Sequence, residues 1–514
     1  MFLQAALVAL VACSAVGARH GDASPAAAAA AAASPPNIVF ILTDDQDVTL
    51  GGLEPMKQLK TLIREQGVFF DNAFVHTPIC CPSRSSYLTG NYIHNHGAVN
   101  NTIYGNCASY NWQKHAELNT YATHLKKAGY TTGYVGKYLN QYGFKQSGGP
   151  EHIPPGWDHW FGLVGNSKYY DYNVSNNGVS EHHGTEYATD YFTDLIKNNS
   201  VQFLKKTIAH SPSSPFLLVS ATPAPHGPFT PAPQYSHVYD GKRAPRTPNW
   251  NYHSEDKHWL VRTTSTMDDR HINGSDKTFE HRWETLLSVD DLVGEIMSTL
   301  EEANVLDNTY VIFASDHGFQ LGQFCIPGDK RQPYEHDIRI PLMFRGPGIP
   351  KNVTLHQIAL NVDIAPTMVA LSGQEAPQEM DGRSLKPLLV SGGQEEATIA
   401  GQPPVAEWRD DFLIDYHGEG NPPCGLSACP GPPLSDFHIT DASNNTYTCL
   451  RTLSTTANTI YCEFTLTNYV EYYDLSEDPW QLKNAAKTAN AALIAKQKAR
   501  LQQLRECSGP SCHQ

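Results

Sequence analysis

The chain has 514 residues, 40 % hydrophobic and 17 % charged, which is enough to bury a large core in one big domain or two and excludes a disordered polymer. Its formal charge of -15 at pH 7 excludes the basic footprint that nucleic acid needs, and at first sight it opposes any anionic substrate. Protonating all 23 histidines would give -15 + 23 = +8, so an acidic compartment reverses the sign unless histidine is simply abundant here.

The first residues, MFLQAALVALVACSAVGA, form an apolar run of signal-peptide length, with no basic side chain before it, and end in the small residues Val16-Gly17-Ala18. This predicts a cleaved secretory signal over 1–18. The run is too short for a membrane anchor, which needs roughly 20 apolar residues, and no later stretch is apolar enough to span a bilayer. Residues 19–36 are a low-complexity linker of Ala, Ser and Pro. Six Asn-x-Ser/Thr sequons, at Asn100, Asn173, Asn198, Asn273, Asn352 and Asn444, agree with a secretory route.

Folded sequence is expected from Asn37. NIVFILTDD (37–45) reads as a buried strand ending in Asp44 and Asp45, followed by a helix in MKQLKTLIREQG (56–67). HTPICCPSRSSYLTG (76–90) places Pro82 where a helix starts, so Cys80 stands near a helix N-terminus, where backbone N–H groups favour anions and a nucleophile is well placed. Adjacent cysteines hardly bond each other, so Cys80 and Cys81 are separate disulfide ends, a buried thiol beside something else, or a site of chemistry. A helix in YATHLKKAG (121–129) precedes the strand TTGYVGKYLN (131–140), which runs into Lys137. FLLVSATPAPHGPF (216–229) runs into His226, WETLLSVDDLVGEIMSTLEEANV (283–305) has helical spacing, and YVIFASDHG (310–318) ends in Asp316 and His317.

Continuous Val/Ile/Phe/Leu runs alternating with helices predict an α/β fold with a large, mostly parallel central sheet covered on both faces. Ligands gather beyond the carboxyl ends of such strands, which places Asp44, Asp45, Lys137, His226, Asp316 and His317 on one rim. TDD or SDHG alone is an ordinary strand-end turn or cap. Together they bring three carboxylates close, which repel unless a hard divalent cation, Ca2+ or Mg2+, lies between them. Further on, Cys424, Cys429, Cys449, Cys462, Cys507 and Cys512 fall in the last hundred residues and predict disulfide stapling of a smaller C-terminal unit.

Cys80-Cys81-Pro82-Ser83-Arg84 resembles the Cys-x-Pro-Ser-Arg motif of the sulfatase family. The blocks PNIVFILTDDQDVTLGG, GKYLNQYG, ATPAPHGPF, GQFCIPGDKRQPYEHDIRIPL and CSGPSC are similar to its members that remove 6-O-sulfate from N-acetylglucosamine in heparan and keratan sulfate, from about Asn37 nearly to the C-terminus. The resemblance implies an alkaline-phosphatase-like sulfatase fold, with a catalytic domain over 37–390 and a cysteine-rich subdomain over 400–514 holding an antiparallel sheet and the helix AALIAKQKARLQQLREC. That helix packs on the sheet or, alternatively, makes a homodimer. It also implies oxidation of Cys80 to Cα-formylglycine by the formylglycine-generating enzyme, and one Ca2+ ion held by Asp44, Asp45, Asp316 and an oxygen on residue 80.

His317 takes the fourth protein position at the metal, where the subgroup usually has Asn. A hard cation prefers an amide oxygen, so His317 is a weak ligand or a hydrogen-bond donor behind the ligands. Arg84 would orient the nucleophile, Lys137 and Lys330 would bind sulfate, and His226 would protonate the leaving sugar hydroxyl. Gly136-Lys137-Tyr138-Leu139-Asn140 lacks the histidine that many arylsulfatases carry after this strand, which leaves the base for sulfate release unassigned. Cys81 is expected as a buried thiol, with a disulfide as the alternative because nine cysteines, an odd number, remain once Cys13 of the signal and Cys80 are set aside. The resemblance further implies a sulfated glycosaminoglycan as substrate, with no nucleic-acid or membrane partner, in the lysosome or outside the cell. The alternatives are another sulfatase, a phosphatase or phosphodiesterase on the same scaffold, and a non-catalytic calcium-binding glycoprotein.

Overall fold

The computed structural model describes residues 34–393, 408–419 and 441–513. The predicted signal, most of the linker, Cys424 and Cys429 lie outside the described residues. Ten strands make the main sheet: β1 Asn37–Thr43, β2 Val68–Phe70, β3 Thr131–Gly136, β4 His159–Leu163, β5 Tyr172–Asn176, β6 Val179–His183, β7 Phe216–Ala221, β8 Thr309–Ser315, β9 Leu342–Arg345 and β10 Val353–Leu355. Their order is β10-β2-β9-β8-β1-β7-β3-β4-β5-β6. The five central strands, β8 to β4, are parallel, and Val39 of β1 lies between Leu218 of β7 and Val311 of β8. Antiparallel pairing appears at the margins, where β9 pairs with β8 and β2, and β5 with β4 and β6.

All seven residues of β1 are buried. Ile38, Phe40 and Leu42 enter one core cluster while Val39 and Ile41 enter the other, so a strand covered on both sides must be apolar throughout. One face is covered by α1 Cys80–Thr89, α2 Tyr121–Lys127 and the later Ile364–Leu371, through Tyr87, Leu125 and Met368. The other is covered by Phe192–His210 and the 34-residue helix Asp269–Glu302, through Ile196, Leu204, Val289 and Ile296. That long helix begins well before the expected Trp283 because Asp268 caps it, accepting from the His271 N–H at 3.0 Å; its first turns are too polar to show periodicity. The helix expected over 56–67 is a single α-turn, Lys57–Leu59, followed by a wider π-helical stretch, Lys60–Arg64.

The C-terminal sheet is a four-stranded antiparallel meander of Asp411–Tyr416, Tyr447–Leu453, Asn458–Phe464 and Tyr469–Asp474. Cys449 and Cys462 are direct register partners and are disulfide-bonded; Cys507 and Cys512 form a second bridge. The helix Ala491–Arg505 lies on this sheet, with Leu501 and Leu504 buried and Arg500 reaching both oxygens of Asp411 at 2.9 Å. The small sheet has no core of its own: Phe412, Tyr447 and Cys449 belong to the cluster that contains Phe40, and the Phe412 ring is 4.9 Å from that of Phe74.

Two expectations are corrected. Cys81 is not a thiol but is bonded to Cys107, because the loop that follows α1 returns across its N-terminus; Cys80 and Cys325 are the free cysteines among the described residues. The histidines also cannot all charge. Burial holds His76 and His336 down to about 4 and His258 to about 3, so the full +8 is not reached in mild acid, although the change of sign does not need these three.

Candidate active site

Asp44 and Asp45 follow β1, Lys137 follows β3, His226 lies in the turn after β7, and Asp316 and His317 follow β8. These strands stand side by side as β8-β1-β7-β3, so their carboxyl ends deliver the groups to one place. Asp45 takes a left-handed backbone (φ 66°), which Asp tolerates better than most residues, and this turns its N–H onto Asp316 Oδ1 at 3.0 Å. Helix α1 opens at Cys80 and is pinned to the end of β8: Tyr87 Oη donates to the Ser315 carbonyl at 2.8 Å and Ser83 Oγ to the Asp316 carbonyl at 2.5 Å. Lys330 arrives from the hairpin in which Gln320 and Asp329 pair backbone to backbone.

The structure brings every predicted site residue together. Lys137 Nζ is 2.6 Å from Asp44 Oδ2, and Lys330 Nζ is 2.8 Å from each oxygen of Asp45. Arg84 donates through Nε to Asp316 Oδ2 at 2.8 Å and through Nη1 to the Lys137 carbonyl at 2.9 Å. Cys80 Sγ lies 3.8 Å from Asp44 Oδ1 and 3.4 Å from His317 Nε2, which is also 3.3 Å from Asp45 Oδ1. His226 donates from Nδ1 to the Gly227 carbonyl at 2.7 Å, and one of its ring nitrogens falls within 4.8 Å of ligand atoms of Asp44, Asp45 and Cys80. The acids, lysines, Cys80 and Arg84 are buried; His226 alone among them is partly open to solvent and marks the mouth.

Sequence reasoning missed three supports. Ser167 Oγ donates to Asp44 Oδ2 at 2.5 Å, Asn101 Oδ1 accepts the Cys81 N–H at 2.8 Å, and Arg282 donates to the Asp45 carbonyl at 2.7 Å. Each comes from a distant loop or helix, and nothing beside it in the chain assigns it this role.

The charges explain the protonation states. Burial pushes Asp44 and Asp45 up, but Lys137 and Lys330 outweigh it and hold both carboxyls well below their ordinary range. Burial, with Asp44 beside it, pushes Asp316 up to about 6. His317 is depressed by burial but lifted to about 9 by Asp316 and Cys80. Burial raises the Cys80 thiol, yet Lys137 and Lys330 pull it well below its usual value. His226 is lowered by burial and raised more by Asp45, ending above an ordinary histidine.

A metal fits this donor set. Ligand atoms of Asp44, Cys80, Asp316 and His317 lie within 4.8 Å of one another, and so do those of Asp44, Asp45, Cys80 and His226. Carboxylate oxygens suit a hard divalent ion, and a cation there would favour the charged form of Asp316, which burial and Asp44 otherwise push up to about 6. The imidazole of His317 is the unusual member.

Buried carboxylates, two ammonium groups and a nucleophile position at a helix N-terminus make a site for hydrolysing an anionic ester. The sulfatase family model matches residues 36–374, and the chain belongs to the sulfatase family. It is 46 % identical over 490 residues to human N-acetylglucosamine-6-sulfatase, which covers 93 % of this chain and 86 % of that protein. It is 44 % identical over 384 residues to an extracellular sulfatase SULF-1 homolog of Drosophila melanogaster, covering 74 % of this chain and 33 % of the other. A solved structure in complex with its substrate D-glucosamine-2-N,6-O-disulfate matches with TM-score 0.70 at 24 % identity, covering 92 % of this chain and 97 % of that one. The fold is also shared by a phosphonate monoester hydrolase of Silicibacter pomeroyi, with TM-score 0.65 at 19 % identity over 92 % and 96 % of the two chains.

Proposed function

We propose that this sulfuric ester hydrolase removes the 6-O-sulfate of N-acetylglucosamine or glucosamine residues in heparan or keratan sulfate, after conversion of Cys80 to Cα-formylglycine and with one Ca2+ ion in the carboxylate cluster. The observation that carries this reading is the place of Cys80, buried at the start of α1 with Asp44, His317 and two lysines around it. The 46 % identity over nearly the whole chain supports the sugar. The predicted secretory signal supports passage through the endoplasmic reticulum and delivery to the lysosome or outside the cell.

Asp44, Asp45 and Asp316 would hold the ion, with His317 at its edge. When bound, calcium supplies a fixed positive charge for sulfate oxygens, and the hydrated aldehyde of residue 80 supplies the hydroxyl that attacks sulfur. Lys137 and Lys330, which neutralise Asp44 and Asp45 here, are the chain's own cations for the sulfate and stabilise the negative charge that builds on it in a dry site. Arg84, fixed by Asp316 and the Lys137 carbonyl, orients residue 80. His226 keeps its Nδ1 proton on the Gly227 carbonyl and presents Nε2 to protonate the leaving sugar hydroxyl. With no histidine after Lys137, His317 holds its Nδ1 proton on the Gly318 carbonyl at 2.9 Å and faces residue 80 with Nε2; lifted to about 9 by Asp316 and Cys80, it serves residue 80 as a hydrogen-bond donor and not as the base for sulfate release.

The test uses protein from a secretory host that makes formylglycine. The tryptic peptide spanning residue 80 is expected to carry the aldehyde mass, and Cys80→Ala is expected to lower kcat/KM on 6-sulfated N-acetylglucosamine by about 10⁴-fold or more. An unmodified, inactive wild type, or a variant as active as the wild type, defeats the proposal.

A further inference from the structure

A cleft of about 350 Å³ lies where segments of the catalytic domain meet the C-terminal sheet, and none of the active-site residues lines it. His336 is buried at its base, with Thr49 Oγ1 at 2.7 Å and Asn249 Nδ2 at 3.2 Å occupying its two ring nitrogens. Trp480, half-buried, is inclined at 24° to the His336 ring with centroids 6.4 Å apart.

Two amides that line the cleft are incompletely satisfied. Gln481 Oε1 accepts the Glu335 N–H at 3.1 Å, but Gln481 Nε2 is buried without a partner, and so is Asn458 Oδ1. A buried polar atom left unpaired is costly, and native proteins keep few of them. An idle donor and an idle acceptor in one cleft match a sugar hydroxyl, which both donates and accepts. The charge is also unbalanced. Glu335 is shared between Arg451 at 2.8 Å and Arg339 at 3.8 Å, so two guanidinium groups meet one carboxylate, and the Arg339 side chain is 30 % exposed. An aromatic ring for a pyranose face, a donor and acceptor for its hydroxyls, and a net positive charge in a chain of -15 together describe a sugar that carries an acid group.

We propose that this cleft binds a sugar unit of an anionic polysaccharide at a distance from the unit being desulfated. Trp480 is the platform, Asn458 and Gln481 pair with hydroxyls, and Arg339 faces the sulfate or carboxylate. The inference rests on the glycosaminoglycan reading above and extends it from one sugar to the chain.

The probe is a 6-O-desulfated heparan sulfate octasaccharide, which offers binding without the proposed reaction. Calorimetry is expected to show saturable binding to the wild type, about tenfold weaker in Trp480→Ala and Asn458→Ala and retained in Trp480→Phe. Both alanine variants should keep kcat/KM on the 6-sulfated monosaccharide within about twofold, which also reports that they are folded, while KM for a 6-sulfated octasaccharide rises about tenfold. Equal binding by wild type and variants, or no saturable binding at all, overturns the cleft; ordered water then fills it. A wild type that binds the octasaccharide but desulfates nothing overturns the glycosaminoglycan reaction and leaves the cleft standing.

Discussion

The two sheets solve opposite problems. At the carboxyl ends of the parallel strands the protein gathers three acids, two lysines and an arginine out of water, and each charge is tolerable only because a partner stands within about 3 Å. The antiparallel C-terminal sheet carries none of those charges. It is held by strand neighbours in sequence order, a cross-strand disulfide, and apolar side chains that finish the larger domain's core. The contrast teaches that the charged region spends stability on electrostatics, while the small sheet adds apolar packing and a disulfide to the shared core.

Breaking the charged region should show in turnover. Lys330→Met is expected to lower kcat/KM on the sulfated sugar by about 10²–10³-fold, since it removes a preorganised charge from a dry site, with the melting temperature read alongside. A kcat/KM within a factor of about two of the wild type would mean that Lys330 serves only Asp45. Breaking the small sheet should show in stability. The double change Cys449→Ala, Cys462→Ala is expected to cost about 3 kcal/mol in urea unfolding while kcat/KM is unchanged. A loss of activity at full stability would overturn that division.

The smallest effect sharpens the comparison at the seam between the regions. His258 stacks on Phe464 of the small sheet at 4.0 Å, and burial depresses its pKa to about 3. The unfolded chain takes up this proton below about 6.5 and the folded chain only near 3, so stability is full above 6.5 and falls as pH drops through that window. His258→Phe keeps the ring contact and should flatten the slope of stability against pH by on the order of 1 kcal/mol per pH unit. Thermal unfolding at several pH values between 7 and 4 reads this directly; an unchanged slope would show that His258 charges freely.

Much of the centre was legible because its residues sit where runs of buried strand end. Asp44, Lys137, His226 and Asp316 each follow such a run, and a single parallel sheet then forces them onto one rim. Cys80 was legible from Pro-Ser-Arg beside it. The short antiparallel margins, β2, β5 and β9, were missed because three to five residues leave no periodicity to count. Ser167, Asn101 and Arg282 were missed for a different reason: each acts on a residue more than a hundred positions away or in a separate segment, with no local pattern to mark it.

Apolar runs and the polar residues that end them therefore determined the long central strands and the rim carrying Asp44, Asp45, Lys137 and Asp316, while Cys80 and Lys330 were marked only by blocks that resemble the family. Only the tertiary structure decided which lysine meets which acid, that Cys81 pairs with Cys107, that several histidines stay neutral, and that a cleft opens beside Trp480. Those outcomes depend on which distant segments are pressed together out of water, and burial and pairing at such contacts are properties of the packed chain.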